Sequence, residues 1–164
     1  MHSLFFDLDE SLGFMTITSN RLLCAALRRR MIQAGIDLTA EQWGILAQLW
    51  NRGSMSQEEM ASVSCVDKSS MSRVLAGLEG KGLIIRRADP VDARRKIICA
   101  TGKAQEIKEG SRTAALDVLD QALKEVSPQD RAVCLKVLAT VKQTLRAACG
   151  MTEKADKQLH QKED

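Results

Sequence analysis

Apolar residues recur along most of this chain with the 3.6-residue period of helices resting on a core, and the interruptions are short. Leu23, Leu27 and Met31 stand four residues apart, which predicts a first helix over about residues 10–34, closed by Gly35 in the left-handed conformation. Thr16, Thr18, Ser19 and Asn20 weaken its beginning. One device then starts helix after helix: a polar cap with apolar residues on either side. Thr39 and Gln42 have the capping-box spacing with Leu38 and Trp43 as staple, and Ser56 and Glu59 repeat it between Met55 and Met60. Asp67 caps the next start, with Val66 and Met71 as its staple. Helices over about 39–51, 56–63 and 67–80 follow, the last ended by Gly82. Isoleucine-rich runs at 83–88 and 96–100, joined by the polar stretch 89–95, predict a two-stranded hairpin. Thr101 opens a helical pattern to about Val126, and Pro128, tolerated in a first turn, opens another to about Cys149. The fold class expected is mainly α: a winged helix-turn-helix with a two-stranded β wing between long terminal helices.

Composition narrows the chemistry. With 164 residues, 45% apolar and 27% charged, the chain is long enough for one domain with a real core. No apolar run approaches the roughly 20 uncharged residues of a membrane span. Asp7, Asp9 and Glu10 stand where a secretory signal would carry basic residues, so a cytoplasmic location without membrane contact is expected. The 5 cysteines include no Cys-x-x-Cys pair, and an odd number cannot close a disulfide framework within one chain. The 2 histidines, His2 and His160, stand near opposite ends and there is no tyrosine, which leaves little for histidine catalysis or a metal centre. No Walker phosphate loop is present, and the glycines of 77–82 end a helix where a dinucleotide site would need them after a strand. Neither an enzyme nor a cofactor is expected.

At 100° per residue, Met71, Val74, Leu75 and Leu78 form the buried stripe of the helix at 67–80. Ser69, Arg73 and Ala76 then point away from the core, with Ser70 and Ser72 beside them. Short hydroxyl side chains let a helix approach closely and hydrogen-bond to phosphates and base edges, and a guanidinium matches guanine O6 and N7. A merely solvated face would also tolerate these residues. The neighbouring hairpin decides between the two, because this second helix followed by a basic-tipped wing has the order of a DNA-reading module. Arg94 and Arg95 at the hairpin tip suit an adjacent minor groove. From Asp67 to Lys103 there are 9 cations against 4 anions, whereas the rest of the chain is net negative. The last helix carries a second signal: Cys134, Leu138, Val141, Leu145 and Ala148 recur at intervals of 4, 3, 4 and 3 residues, and Ala115, Leu119, Ala122 and Val126 precede them at similar spacing. These seams suit packing on each other or, as favoured here, pairing with a second copy, since linked half-site contacts multiply affinity.

The wing Asp92-Ala-Arg94-Arg-Lys-Ile-Ile98-Cys-Ala-Thr101 resembles the D-x-R-x-x-x-V-x-L-T signature of the MarR family of bacterial winged-helix regulators. Leu38-Thr39-Ala-Glu-Gln42-Trp43, Ser56-Gln-Glu-Glu-Met-Ala61 and Asp67-Lys-Ser-Ser-Met-Ser-Arg73, leading to Leu78-Glu-Gly-Lys-Gly82, extend the resemblance. Ala100 and Ala104 depart from the Leu and Gly usual in that family. The resemblance implies an obligate homodimer on a pseudo-palindromic double-stranded operator, acting as a repressor. It implies that Asp92 orients Arg94 in the minor groove, that Ser69, Ser70, Ser72 and Arg73 face the major groove, and that Lys68 contacts phosphate. The divisions expected are an N-terminal dimerisation region at 1–36, a DNA-binding lobe at 37–101, C-terminal dimerisation helices at 102–150 and a flexible tail at 151–164. Family members often respond to small aromatic acids, for which Met15, Trp43 and Trp50 are candidate contacts. Two other readings stand beside this one: a thiol-based redox sensor using Cys24 or Cys65, and a winged-helix module that binds protein instead of DNA. Cys99, Cys134 and Cys149 are expected to be small buried apolar groups.

Overall fold

The computed structural model describes residues 8, 10–89, 92 and 95–148; Arg94, Cys149 and the tail 151–164 lie outside them. The described elements run α1 (Leu12–Gln33), α2 (Ala40–Arg52), β1 (Met55–Ser56), α3 (Gln57–Ser64), α4 (Lys68–Gly80), β2 (Ile84–Ala88), β3 (Lys96–Ala100), α5 (Gly102–Glu106), α6 (Lys108–Ala122) and α7 (Pro128–Ala148). They fall into two units, residues 1–40 with 107–124 and residues 41–106 with 125–164.

In the first unit α1 packs along α6. Arg30 Nε donates to Asp117 Oδ2 at 3.0 Å, and Met31, Ser111, Ala114 and Ala115 are buried. Arg28 pairs with Asp37 at 2.9 Å and donates to the Leu38 carbonyl at 2.8 Å, tying down the chain that leaves α1. The second unit holds the winged lobe. Ile45, Leu46 and Leu49 of α2, Met60 of α3, Met71, Leu75 and Leu78 of α4, and Ile84 and Ile98 of the sheet are buried. Gly77 permits the close approach of α2 to α4: a Cβ there would lie 2.8 Å from the Gln42 amide nitrogen, and Gln42 is itself buried while accepting from Lys81 Nζ at 3.0 Å.

The sheet has one strand more than expected. Its order is β1-β3-β2, with Met55 opposite Ile98 and Ser56 opposite Ile97. Two residues are too few to carry an alternating pattern. Met55 and Ser56 also serve as staple and cap of α3, and that role masked the strand. The Ser56 capping box is complete, with Ser56 N donating to Glu59 Oε2 at 2.7 Å and Glu59 N to Ser56 Oγ at 3.2 Å.

The stretch expected to be one helix from Thr101 to Val126 is two. The backbone at Ile107 (φ −91°, ψ −2°) separates α5 from α6 without a side-chain cap, and no Gly or Pro marks the place. The helix also ends at Ala122, so Val126 lies in the connection and both residues are exposed. A cap at Ser127 sets the start of the next helix. Ser127 Oγ accepts from Asp130 N at 3.1 Å and donates to Asp130 Oδ2 at 2.7 Å, and a residue capping α7 cannot continue the helix before it. Every described residue of α7 is at least partly accessible, and Cys134, expected to be buried, is exposed; Cys99 is half-buried.

Helices α1, α3 and α4 close with the same pair of backbone bonds, in which one residue past the helix reaches back five positions and the residue before it reaches back three. Ile36 N donates to Met31 O and Gly35 N to Ile32 O; Leu83 N donates to Leu78 O and Gly82 N to Glu79 O; Val66 N donates to Ala61 O and Cys65 N to Ser62 O. The motif needs a left-handed residue, supplied by Gly35 (φ 72°) and Gly82 (φ 70°) but at the end of α3 by Cys65 (φ 52°). A side chain there is strained by roughly 1–2 kcal/mol. Cys65→Gly should therefore raise the stability measured by urea unfolding by about 1 kcal/mol; an unchanged or lower midpoint would show that the Cys65 side chain offsets this strain through its contacts.

Candidate nucleic-acid interface

The turn 65–67 delivers the chain from α3 into α4, and Asp67 fixes where α4 starts. Its Oδ1 accepts from Ser69 N and Ser70 N, both at 2.9 Å, and from Ser69 Oγ at 2.6 Å. The Ser69 hydroxyl, then the Ser70 amide, hold the Asp67 carboxyl well below the usual carboxylate range. With the start fixed, Met71, Leu75 and Leu78 face the core and Lys68, Ser69, Ser72 and Arg73 face solvent. Ser70 is only half exposed. It lines a cavity of about 320 Å³ with Glu41, Gln48, Met71, Arg73 and Val74, so this hydroxyl sits on the flank of α4.

Part of the positive charge counted in the sequence is spent inside the lobe. Arg86 Nε donates to Glu79 Oε2 at 3.3 Å and its Nη1 to Gln57 Oε1 at 3.1 Å. Lys81 is held by Gln42, and Lys103 Nζ donates to the Lys81 carbonyl at 2.8 Å. Arg95 lies 3.8 Å from Glu59, and Lys68 lies 3.7 Å from Glu58 in an exposed pair of little energetic worth. Among the described residues, Arg73, Arg87 and Lys96 are exposed and hold no ion pair. Arg87 was not singled out from the sequence, although strand alternation distinguishes it: Arg86 turns to the helices, so Arg87 turns to the opposite face of β2.

At the hairpin, Asp92 N donates to Asp89 Oδ1 at 3.4 Å, and the Asp92 carbonyl accepts from Arg95 N at 2.9 Å. Arg94, the residue Asp92 is expected to orient, is not among the described residues. Of the candidate ligand contacts, Met15 is exposed on α1 in the first unit, while Trp43 and Trp50 are half-buried on α2 in the second. Both indole Nε1 atoms are buried without a hydrogen-bond partner, and neither ring lines the cavity beside α4.

Cys24 is half-buried and its thiol donates to Asn20 Oδ1 at 3.7 Å. Cys65 is exposed, and Arg146 Nε of α7 donates to its sulfur at 3.4 Å while Nη2 donates to the Ser62 and Val63 carbonyls at 2.8 and 3.1 Å. Arg146 was not identified from the sequence, where it reads as one more polar residue of an amphipathic helix. On the seam residues, Leu119, Leu138 and Leu145 are exposed and Val141 is half-buried. No group of three or more His, Cys, Asp or Glu side chains among the described residues is placed to hold a metal ion, and no described helix is long and apolar enough to cross a membrane.

Residues 38–96 match the family model described as MarR family. The HTH-type transcriptional regulator FarR of Neisseria gonorrhoeae is 27% identical over 128 residues, covering 78% of this chain and 86% of FarR. A crystal structure of a probable transcriptional regulator from Pseudomonas aeruginosa superposes with a TM-score of 0.72 at 28% identity, covering 82% of this chain and 99% of that one. A mutant MarR from E. coli complexed with operator DNA shares the fold, with a TM-score of 0.74 at 23% identity over 85% of this chain and 99% of that one.

The lowered Asp67 pKa sets a pH dependence. A depressed folded-state pKa adds stability that is complete above the unfolded value of about 3.9 and is lost as pH falls below it. The thermal midpoint of Asp67→Asn should therefore lie below that of the native chain by a constant amount between about pH 7 and 5, and the gap should narrow below about pH 4. A gap that widens on acidification would contradict the carboxylate's role as cap.

Proposed function

We propose that the chain, whose residues 38–96 match the MarR family model, is a winged helix-turn-helix transcriptional regulator of that family, and that it works as a homodimer that seats two copies of α4 in successive major grooves of a pseudo-palindromic operator and acts as a repressor. The observation that carries this reading is the outward face of α4. Ser69, Ser72 and Arg73 are exposed together on a helix whose start is capped and whose opposite side is the core of the lobe. Such a face supplies base-edge donors and acceptors and a guanidinium without bulky side chains that would hold the helix off the groove. Lys68, Arg87 and Lys96 are then phosphate contacts, and Arg94 and Arg95 of the wing enter the minor groove.

The apolar surface of α7 supports pairing with a second copy. Val133 and Leu135 each keep 60% of their surface and Leu145 keeps 58%, along a helix with no buried residue. Several large aliphatic side chains left exposed along one helix mark an interaction surface, and two linked half-site contacts reach affinities that one small module does not. Release from the operator by a small aromatic acid completes the proposal and rests on the family resemblance; Met15, Trp43 and Trp50 remain its candidate contacts.

A salt titration with a duplex tests the DNA reading. If about 6 to 10 phosphates are contacted per dimer, affinity falls about 10³- to 10⁵-fold between about 50 and 200 mM salt. A flat response would favour the protein-interaction module. In parallel, Leu138→Asp should convert the sedimenting species from dimer to monomer and lose tight binding with it; a dimer that survives Leu138→Asp would remove the α7 seam from the account.

A further inference from the structure

The serines on the exposed side of α4 are not equivalent, because other side chains fix which way each hydroxyl proton points. A serine hydroxyl ordinarily rotates to suit its partner, acting as donor or acceptor. Ser69 has lost that choice. Its Oγ donates to Asp67 Oδ1 at 2.6 Å, and an ionised carboxylate only accepts, so Ser69 offers lone pairs alone to the outside.

Ser72 is fixed in the opposite sense by a relay that crosses the lobe. Glu79 accepts from Arg86 Nε, Arg86 Nη1 donates to Gln57 Oε1, and Gln57 Nε2 donates to Ser72 Oγ at 2.7 Å. A guanidinium has no acceptor, so Gln57 must turn its oxygen to Arg86 and its amino group to Ser72. Ser72 is thereby an acceptor on its inner side. Serine and threonine inside helices often return the proton to the carbonyl four residues back, as Thr16 does to Leu12 and Thr140 to Lys136. Ser72 makes no such bond, so its proton is left for a partner in solvent.

We infer that Gln57 is a positioning residue for DNA recognition: through the Glu79–Arg86–Gln57–Ser72 relay it presets Ser72 as an outward donor to an acceptor atom on DNA, opposite in polarity to the outward acceptor Ser69. The inference rests on the proposal that α4 meets DNA. The acceptor Ser72 takes is a base oxygen or N7 in the major groove, or a phosphate oxygen. Ser69 suits an exocyclic amino group, that of adenine N6 or cytosine N4.

The test is the near-isosteric change Gln57→Glu. A carboxylate accepts from Arg86 with one oxygen and from Ser72 with the other, which reverses the Ser72 proton. An acid in the first turn of α3 also suits the helix dipole, so the lobe keeps its fold, as an unchanged circular dichroism spectrum would verify. Duplexes are selected from a random pool by the native chain, Gln57→Glu, Ser72→Ala and the double variant, and affinities are measured at fixed salt. If Ser72 meets a base, Gln57→Glu turns the preference at one position per half-site from an acceptor-bearing to an amino-bearing edge. If it meets a phosphate, Gln57→Glu lowers affinity for all duplexes about fivefold to tenfold. In either case the effect shrinks to the residual cost of the added charge once residue 72 is alanine. An equal effect of Gln57→Glu with and without the Ser72 hydroxyl would overturn the inference, as would a change of preference with Ser72→Ala that Gln57→Glu fails to produce. Arg73→Ala separates the two levels: if it leaves duplex affinity unchanged, the reading of α4 itself fails and the inference falls with it.

Discussion

A helix that presents a surface to a partner must start at a defined residue, because each residue of slip turns its face by about 100°. In this chain the constraint is met by one carboxylate. Asp67 gathers two backbone amides and a hydroxyl at the first turn of α4, and its depressed pKa is the electrostatic trace of that convergence. Everything proposed for the outward face depends on it: the same start that sends Met71, Leu75 and Leu78 into the core sends Ser69, Ser72 and Arg73 to solvent. The carboxylate also shapes the chemistry it positions, by accepting the hydrogen bond of the Ser69 hydroxyl.

Around this start the lobe uses its charges in two ways. Arg86 braces β2 against α4 and α3 through Glu79 and Gln57, while Lys81 and Lys103 tie the end of α4 to Gln42 of α2 and to α5. Arg73, Arg87 and Lys96 are left free to meet an anionic partner. Net charge over a segment therefore overstates the field such a lobe projects, since a cation committed to a neighbouring carboxylate adds little beyond the pair. The division of labour is favourable for recognition, because braced arginines hold the polar face rigid while unpaired ones supply attraction.

Much of this was legible in the sequence because it is written locally. Ser56 with Glu59 and Asp67 before Lys68 state the helix starts within four residues, and Gly35 and Gly82 state two of the ends. What was not legible depends on distant partners or leaves no local mark. The two-residue strand β1 exists only because Ile97 and Ile98 of the hairpin lie beside it. The break at Ile107 keeps the apolar period on both sides, so no breaker announces it. The third helix end is hidden by Cys65 in a place where glycine is usual, and the Ser127–Asp130 cap was overlooked beside the more visible Pro128. At the site, Ser69, Ser72 and Arg73 followed from helical period alone, whereas the inward bracing of Arg86 and the role of Gln57 depend on contacts 7 to 29 residues apart in the chain. The seam of α7 was readable as a pattern, and the isolated chain leaves that pattern uncovered.

The claim on which the rest turns is that α4 is the surface DNA meets, and backbone amide shifts report it residue by residue. An isotopically labelled sample titrated with a short duplex at low salt should show its largest shifts at residues 68–73, with Arg87 and Lys96 following and the seam of α7 nearly silent. Shifts that gather on α1 or α7 while residues 68–73 stay in place would contradict the account.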